Sequence, residues 1–394
     1  MTSFQTEALR LRTADGAFVA GLLRTPEGGA GTVVSIVHPR EDPSHHPFAF
    51  ELLERGFAVW VQGTRSVNND LRLLHEQALL DVAAGQAMLR DRGFEAHVTL
   101  GHSGGATLYA YYQEQARLAP EDRHTAAPDG TKVDLGSADM PIPDGAVFVA
   151  PHPGQGVLLQ RLIDPSVTDE SDPWSTDPGL DPYALGNGFR PAPEPSCYSP
   201  DFVERYRAAQ IERVRRIDAV AATAVATARE HGERYRATKD DYHRRHWLAA
   251  NIMVVHRTDA DLRSVDLSMD PNDRPYGSLF GSRPDLGNFG FPGFCRVTTA
   301  QAWMSTWSAT TSRANFVQNA VGVHSPALLV ELTGDQGCFP ADAREMYKAL
   351  GADDKKHVRV AGTHFGGSIS KGAPTGTKLA AQQFSRWLEE RFAL

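Results

Sequence analysis

The stretch His97-Val98-Thr99-Leu100-Gly101-His102-Ser103-Gly104-Gly105-Ala106 decides how this chain is read. An apolar run ends in Gly-x-Ser-x-Gly and opens into residues 106–118, which have a helical composition. A serine flanked by glycines at a strand-to-helix junction is the arrangement called a nucleophile elbow. The sharp turn pushes Ser103 into a strained backbone conformation, and only small residues at 101 and 105 let the adjoining segments pass closely enough to permit it. The strain aims Oγ outward, while the helix start directs backbone N–H groups and a positive dipole end at whatever the hydroxyl attacks. A glycine-rich turn with an incidental serine has the same local pattern, so the surrounding elements must separate the two readings.

Working outward, residues 7–24 alternate apolar and polar around Asp15-Gly16, which predicts a β-hairpin. Thr32 to Val37 is β-branched and almost wholly apolar, as a strand covered on both faces should be, and it stops at His38-Pro39-Arg40. The pattern then predicts a short helix over 48–55 and a strand over 57–61. A helix is predicted over 71–92, where Leu74, Leu79, Val82, Met88 and Leu89 fall mostly three to four residues apart. A Pro-, Asp- and Gly-rich excursion over 119–144 precedes another buried strand at 146–150.

From Pro151 to about Ser325 the periodic strand signal is absent. Ser199-Pro200 supplies an N-cap and an N1 proline for a long helix with Val214, Ile217, Ala221 and Val225 as its apolar stripe. Further helices are predicted over 239–255 and 299–320, on either side of an aperiodic Gly-, Pro- and Phe-rich stretch at 270–297. Strand pattern resumes over 327–332 and again over 357–360, with helices predicted over 341–350 and 377–392. This alternation predicts an α/β fold with a mainly parallel sheet flanked by helices. It divides the chain into a core (1–150), a large, mostly helical cap insertion (151–325) and the rest of the core (326–394).

A chain of 394 residues with 41% hydrophobic content can bury one large core or two ordinary ones. Its 40 Lys and Arg are scattered and its formal net charge is −8, which argues against a nucleic-acid partner. No stretch approaches the roughly 18 apolar residues of a membrane span, and the amino terminus lacks a charged segment followed by an apolar one, so the expected location is cytoplasmic. Cys197, Cys295 and Cys338 are far apart, with no C-x-x-C, which disfavours a disulfide framework and a zinc site. The pairs His45/His46 and His243/His246 have ligand-like spacing, but Arg244 and Arg245 between the latter would repel a cation, so no metal is expected.

Three predicted strands end in Ser103, in Thr333-Gly334-Asp335 and in Ala361-Gly362-Thr363-His364. Parallel strands expose their carboxyl ends on one edge, so residues just beyond separate strands can meet. In that arrangement His364 takes the Ser103 proton and returns it to the leaving group, while Asp335 holds the imidazole tautomer and stabilises its cation.

On these residues the sequence resembles the α/β-hydrolase superfamily over roughly 1–155 and 322–394. The resemblance rests on Gly101-His102-Ser103-Gly104-Gly105, on Gly334-Asp335 before Phe339-Pro340, and on His364 after the last strand, in the chain order Ser, Asp, His. Some members take the acid from the preceding strand, but the first carboxylate after Val149 is Asp164, well past the strand end. Members commonly have His-Gly after the third strand, where this chain has His38-Pro39. The resemblance implies an oxyanion hole of two backbone N–H groups, those of Gly104 and Arg40, so a proline at 39 removes a donor that is not used.

Arg40 stands to grip a substrate oxygen or to pair with Glu41 or Asp42. His38 is expected to order its loop, His102 to pack under the elbow and His152 to form a pocket wall. Trp303, Trp307, Phe289, Phe291 and Phe294 are candidates for an aromatic pocket or for plain core. The expected activity is a cofactor-independent serine hydrolase acting on a carboxylic ester of a small or medium, aromatic or cyclic compound. Lactone, amide or carbon–carbon bond hydrolysis, acyl transfer, and a silent ligand-binding relative remain alternatives, with a second copy of the chain as a candidate partner.

Overall fold

A computed structural model describes residues 3–394. Among the described residues ten strands form: β1 (Phe4–Arg12), β2 (Phe18–Pro26), β3 (Thr32–His38), β4 (Ala58–Gly63), β5 (Ala96–His102), β6 (Gly145–Val149), β7 (Ile252–Val254), β8 (Val297–Thr299), β9 (Ala327–Leu332) and β10 (Lys355–Val360). Eight of them make one sheet in the order β1-β2-β4-β3-β5-β6-β9-β10, and β7 pairs with β8 in a separate ribbon. The β1–β2 hairpin is antiparallel and joins β4 antiparallel, and every pairing from β4 to β10 is parallel. This is the mainly parallel sheet expected from the alternating pattern.

The sheet is buried on both faces, which is why its central strands read as continuous apolar runs. On one face Leu79 and Val82 of helix His75–Asp91, Tyr109 and Tyr112 of helix Gly104–Arg117, and Met346 of helix Pro340–Ala349 share a core. On the other, Phe48 and Leu52 of helix Pro47–Leu53 meet Phe384 and Trp387 of helix Gly376–Glu389. Register sets the site. Leu100 of β5 lies level with Ile36 of β3, and His102 with Val149 of β6, so the three strands deliver their carboxyl ends to one place.

Between β6 and β9 runs the long insertion, whose regular structure is dominated by helix Pro200–Thr238. The Ser199 hydroxyl accepts from Phe202 N–H at 3.2 Å, the N-cap read from Ser-Pro. Val214, Ile217 and Ala221 bury their stripe against Trp303 and Trp307. Two helices expected here differ. The stretch 239–255 breaks at Lys239, whose φ is +59°, and gives only helix Asp241–Leu248 before β7. The stretch 299–320 makes one turn at Ala300–Ala302, a wide π turn at Trp303–Trp307, and then unwinds until Phe316–Asn319. The Ser308 hydroxyl accepts from Thr310 and Thr311 N–H at 3.1 Å each, giving the backbone an alternative to helical bonds that hydropathy spacing does not reveal.

The insertion is tied to the acid end of β9. Asp273 N–H donates to Thr333 O at 2.7 Å, and Asn272 Nδ2 to Asp335 O at 2.9 Å. Among the described residues no helix is long and apolar enough to cross a membrane.

Candidate active site

Ser103 follows β5 with φ 53° and ψ −122°, a conformation that costs a non-glycine residue on the order of 1–3 kcal/mol. Close packing holds it there. A Cβ at Gly101 would lie 2.5 Å from Ala106 Cα, and one at Gly105 would lie 2.5 Å from Val37 O, so neither position accepts a side chain.

His364, in the loop after β10, places Nε2 2.9 Å from Ser103 Oγ. Its Nδ1 lies 2.8 and 3.0 Å from the two carboxylate oxygens of Asp335, in the turn after β9. Asp335 Oδ1 also accepts N–H bonds from Gly337 at 2.7 Å and Cys338 at 3.0 Å, which fix the carboxylate toward the imidazole. The structure therefore brings Ser103, His364 and Asp335 into one hydrogen-bonded chain, with the latter two buried.

Burial opposes a cationic His364, but the charge and hydrogen bond of Asp335, aided by Glu41, outweigh it and hold the His364 pKa above the ordinary histidine value. The other histidines near the serine go the opposite way. Burial, then neighbouring positive groups, pull His152 and His46 down to about 3 and His102 to about 4, and push His38 well below its usual value. These four stay neutral at neutral pH, whereas His364 alone of the five is shifted toward its charged form. The rate of Ser103 acylation or phosphonylation should accordingly fall with one proton as pH drops, at a midpoint above 6.5, because protonated His364 cannot accept the serine proton. A pH profile of second-order inactivation by a fluorophosphonate measures it, and a midpoint well below 6.5 contradicts the Asp335–His364 coupling.

The triad opens on a cavity of about 250 Å³ whose wall includes His38, Arg40, His152, Phe280, Phe294 and Trp307. Arg40 is held by a two-point ion pair with Asp70 at 2.7 and 2.6 Å, rather than with Glu41 or Asp42, and its guanidinium stacks over Trp307 and Phe294 at 4.9 and 5.2 Å. Its backbone N–H, expected in the oxyanion hole, donates instead to His38 Nδ1 at 3.2 Å, and Glu41 N–H shares the same acceptor at 2.9 Å. The Gly104 N–H heads its helix beside the serine.

Other candidates separate cleanly. His102 lies beneath the triad, its Nε2 2.9 Å from the His364 carbonyl and its Nδ1 3.4 Å from His46 Nε2. Trp303 is not in the cavity wall; it is buried in the insertion, with Nε1 donating to Asp218 at 2.7 Å. Phe289 and Phe291 line a second cleft, where Phe289 stacks on Trp174. Residues of this site not singled out from sequence include Asp70, Gln155 and Phe280. Asp70 has no local signature. Gln155 starts a helix directly after the turn Pro151-His152-Pro153-Gly154, and that position just beyond a buried strand is the signal by which it could have been found.

No protein-family model matches the chain, and no curated protein matches it by sequence. Solved structures do match in shape. DcsB in complex with its substrate analogue is 13% identical, with a TM-score of 0.50 over 98% of this chain and 99% of that one. The esterase domain of a Rhodothermus marinus protein is 11% identical, with a TM-score of 0.47 over 98% and 99%. The α/β hydrolase GrgF from Penicillium is 12% identical, with a TM-score of 0.47 over 98% and 97%. At such identities the likeness bears on fold alone.

Proposed function

We propose that this chain, which has the α/β-hydrolase fold, is a cofactor-independent serine hydrolase that cleaves a carboxylic ester of a small or medium aromatic or cyclic compound. The observation that carries the reading is the Asp335–His364–Ser103 hydrogen-bonded chain on a strained turn at the mouth of a cavity. In the first step the Ser103 Oγ–C bond forms as the Ser103 proton passes to His364 Nε2, and the carbonyl oxygen takes up negative charge beside the Gly104 N–H. The C–O bond to the leaving group then breaks, and the alcohol departs with the proton from His364. Water, deprotonated by His364, attacks the acyl carbon, and Ser103 leaves as it regains its proton. The aromatic wall of Phe280, Phe294 and Trp307 supports a flat apolar substrate part, and a cavity of about 250 Å³ supports a modest one.

The experiment is fluorophosphonate labelling followed by peptide mapping, then a panel of aryl and alkyl esters, lactones and β-diketones. Modification at Ser103 and turnover of aryl esters above the other classes are expected. Folded protein whose Ser103 resists the reagent overturns the hydrolase reading, and preference for a β-diketone or lactone overturns the substrate class alone.

A further inference from the structure

A methyl carbon built on Gly104 would lie 2.7 Å from Gln155 Nε2, 3.0 Å from His38 Nε2 and 3.1 Å from His152 Nε2. The end of β3, the turn after β6 and the start of the next helix thus bring three side-chain nitrogens to one point on the residue that follows the serine. His38, His152 and Gln155 are 7%, 4% and 3% exposed, and all three face the same cavity as Ser103. Buried polar atoms usually find a partner in the protein, in water or in a ligand.

The neighbouring amides assign the proton on each ring. His38 Nδ1 accepts from Arg40 and Glu41 N–H, and His152 Nδ1 accepts from Gly154 N–H at 3.0 Å. A neutral imidazole that accepts at Nδ1 carries its hydrogen at Nε2, so both rings present an N–H to the space above Gly104. Neither Nε2 has a hydrogen-bond acceptor among the described residues. His152 is further held by the turn that carries it. Ala150 takes a φ of +43° at the end of β6, and Thr107 of the elbow helix donates its hydroxyl to His152 O at 2.8 Å.

We propose that His38 and His152, donating through Nε2–H, complete the oxyanion hole that the backbone N–H of Gly104 begins. This deepens the hydrolase reading and rests on Ser103 being the nucleophile. It also explains the engaged Arg40 amide. In the expected design that N–H would touch the oxyanion directly; here it holds an imidazole that does so one ring further on. Burial and the nearby Arg40 keep both rings neutral, so each remains a fixed dipole that neither gains nor surrenders a proton during the reaction. Gln155 Nε2 lies nearest the same point on Gly104, at 2.7 Å.

The test is the rate of Ser103 modification by a fluorophosphonate, in which the Oγ–P bond forms, the P–F bond breaks, fluoride leaves, the serine proton goes to His364 and the phosphoryl oxygen occupies the oxyanion site. His38→Asn and His152→Asn each keep a polar acceptor near the Nδ1 position and delete the distal N–H, whereas His38→Gln and His152→Gln return a donor near Nε2. Each Asn variant is expected to react roughly 10²–10³-fold more slowly, with most of the loss recovered in the Gln variant at the same position. The rates are compared on protein whose thermal unfolding matches wild type, and if His38→Asn does not fold, the His152 pair decides alone. An Asn variant that reacts at the wild-type rate overturns the assignment, and so does a Gln variant as slow as its Asn counterpart, since shape would then matter and the donor would not. Wild-type protein unlabelled at Ser103 overturns the nucleophile reading itself, a failure visible before any histidine variant is compared.

Discussion

Ser103→Ala is expected to lower kcat on the best ester substrate by on the order of 10⁶-fold, to the residual rate left by binding and the oxyanion donors. The magnitude follows from the unit nature of the triad. Without Oγ there is no covalent intermediate, and His364, held by Asp335, has no serine proton to accept. The change is small in structural terms, because alanine inherits the same backbone at φ 53° and loses only the 2.9 Å contact to His364. Thermal unfolding should therefore stay close to that of wild type while steady-state turnover collapses. A variant retaining more than a small fraction of activity would mean that another group performs the attack.

Asp335→Asn is expected to lower kcat by about 10⁴-fold. Oδ1 of Asp335 is committed to the Gly337 and Cys338 N–H groups, so an asparagine at this position keeps its oxygen there and turns its NH₂ toward His364. His364 Nδ1 must then accept rather than donate, which moves the ring hydrogen to Nε2, the atom that has to receive the serine proton. Loss of the carboxylate charge also removes what outweighs burial at His364, so the midpoint of the remaining pH dependence should shift downward. Two readouts, kcat and pH midpoint, distinguish this from general damage. Full activity in Asp335→Asn would show that the acid lies elsewhere.

Much of the architecture was legible because it is written in short-range patterns. The β1–β2 hairpin shows as alternation around Asp15-Gly16, β3 and β9 as β-branched or aliphatic runs, and the cap helix as Ser199-Pro200 followed by a 3.6-residue stripe. Helix Ala300–Ala302 failed to extend because hydroxyls at Ser308 and its neighbours compete for backbone bonds, a contest that hydropathy spacing does not register. The aromatic candidates divided for a related reason. Trp303 and Trp307, four residues apart, flank a π turn that sends one to Asp218 and the other to the cavity.

The sequence by itself determined the order of sheet and insertion and the positions of a serine, an acid and a histidine just beyond three strands, since strand period, turn chemistry and the glycine demand of a tight elbow all act within a few residues. Only the tertiary structure decided that Arg40 pairs with Asp70, that its amide serves His38 instead of the cavity, and that the Nε2 atoms of His38 and His152 meet over Gly104. The Arg40–Asp70 pair and the His38–His152 approach join residues 30 and more than 100 positions apart, and they depend on the register of β3, β5 and β6 in the sheet. Hydrogen-bond partners are chosen by distance and angle in space, which no spacing along the chain encodes.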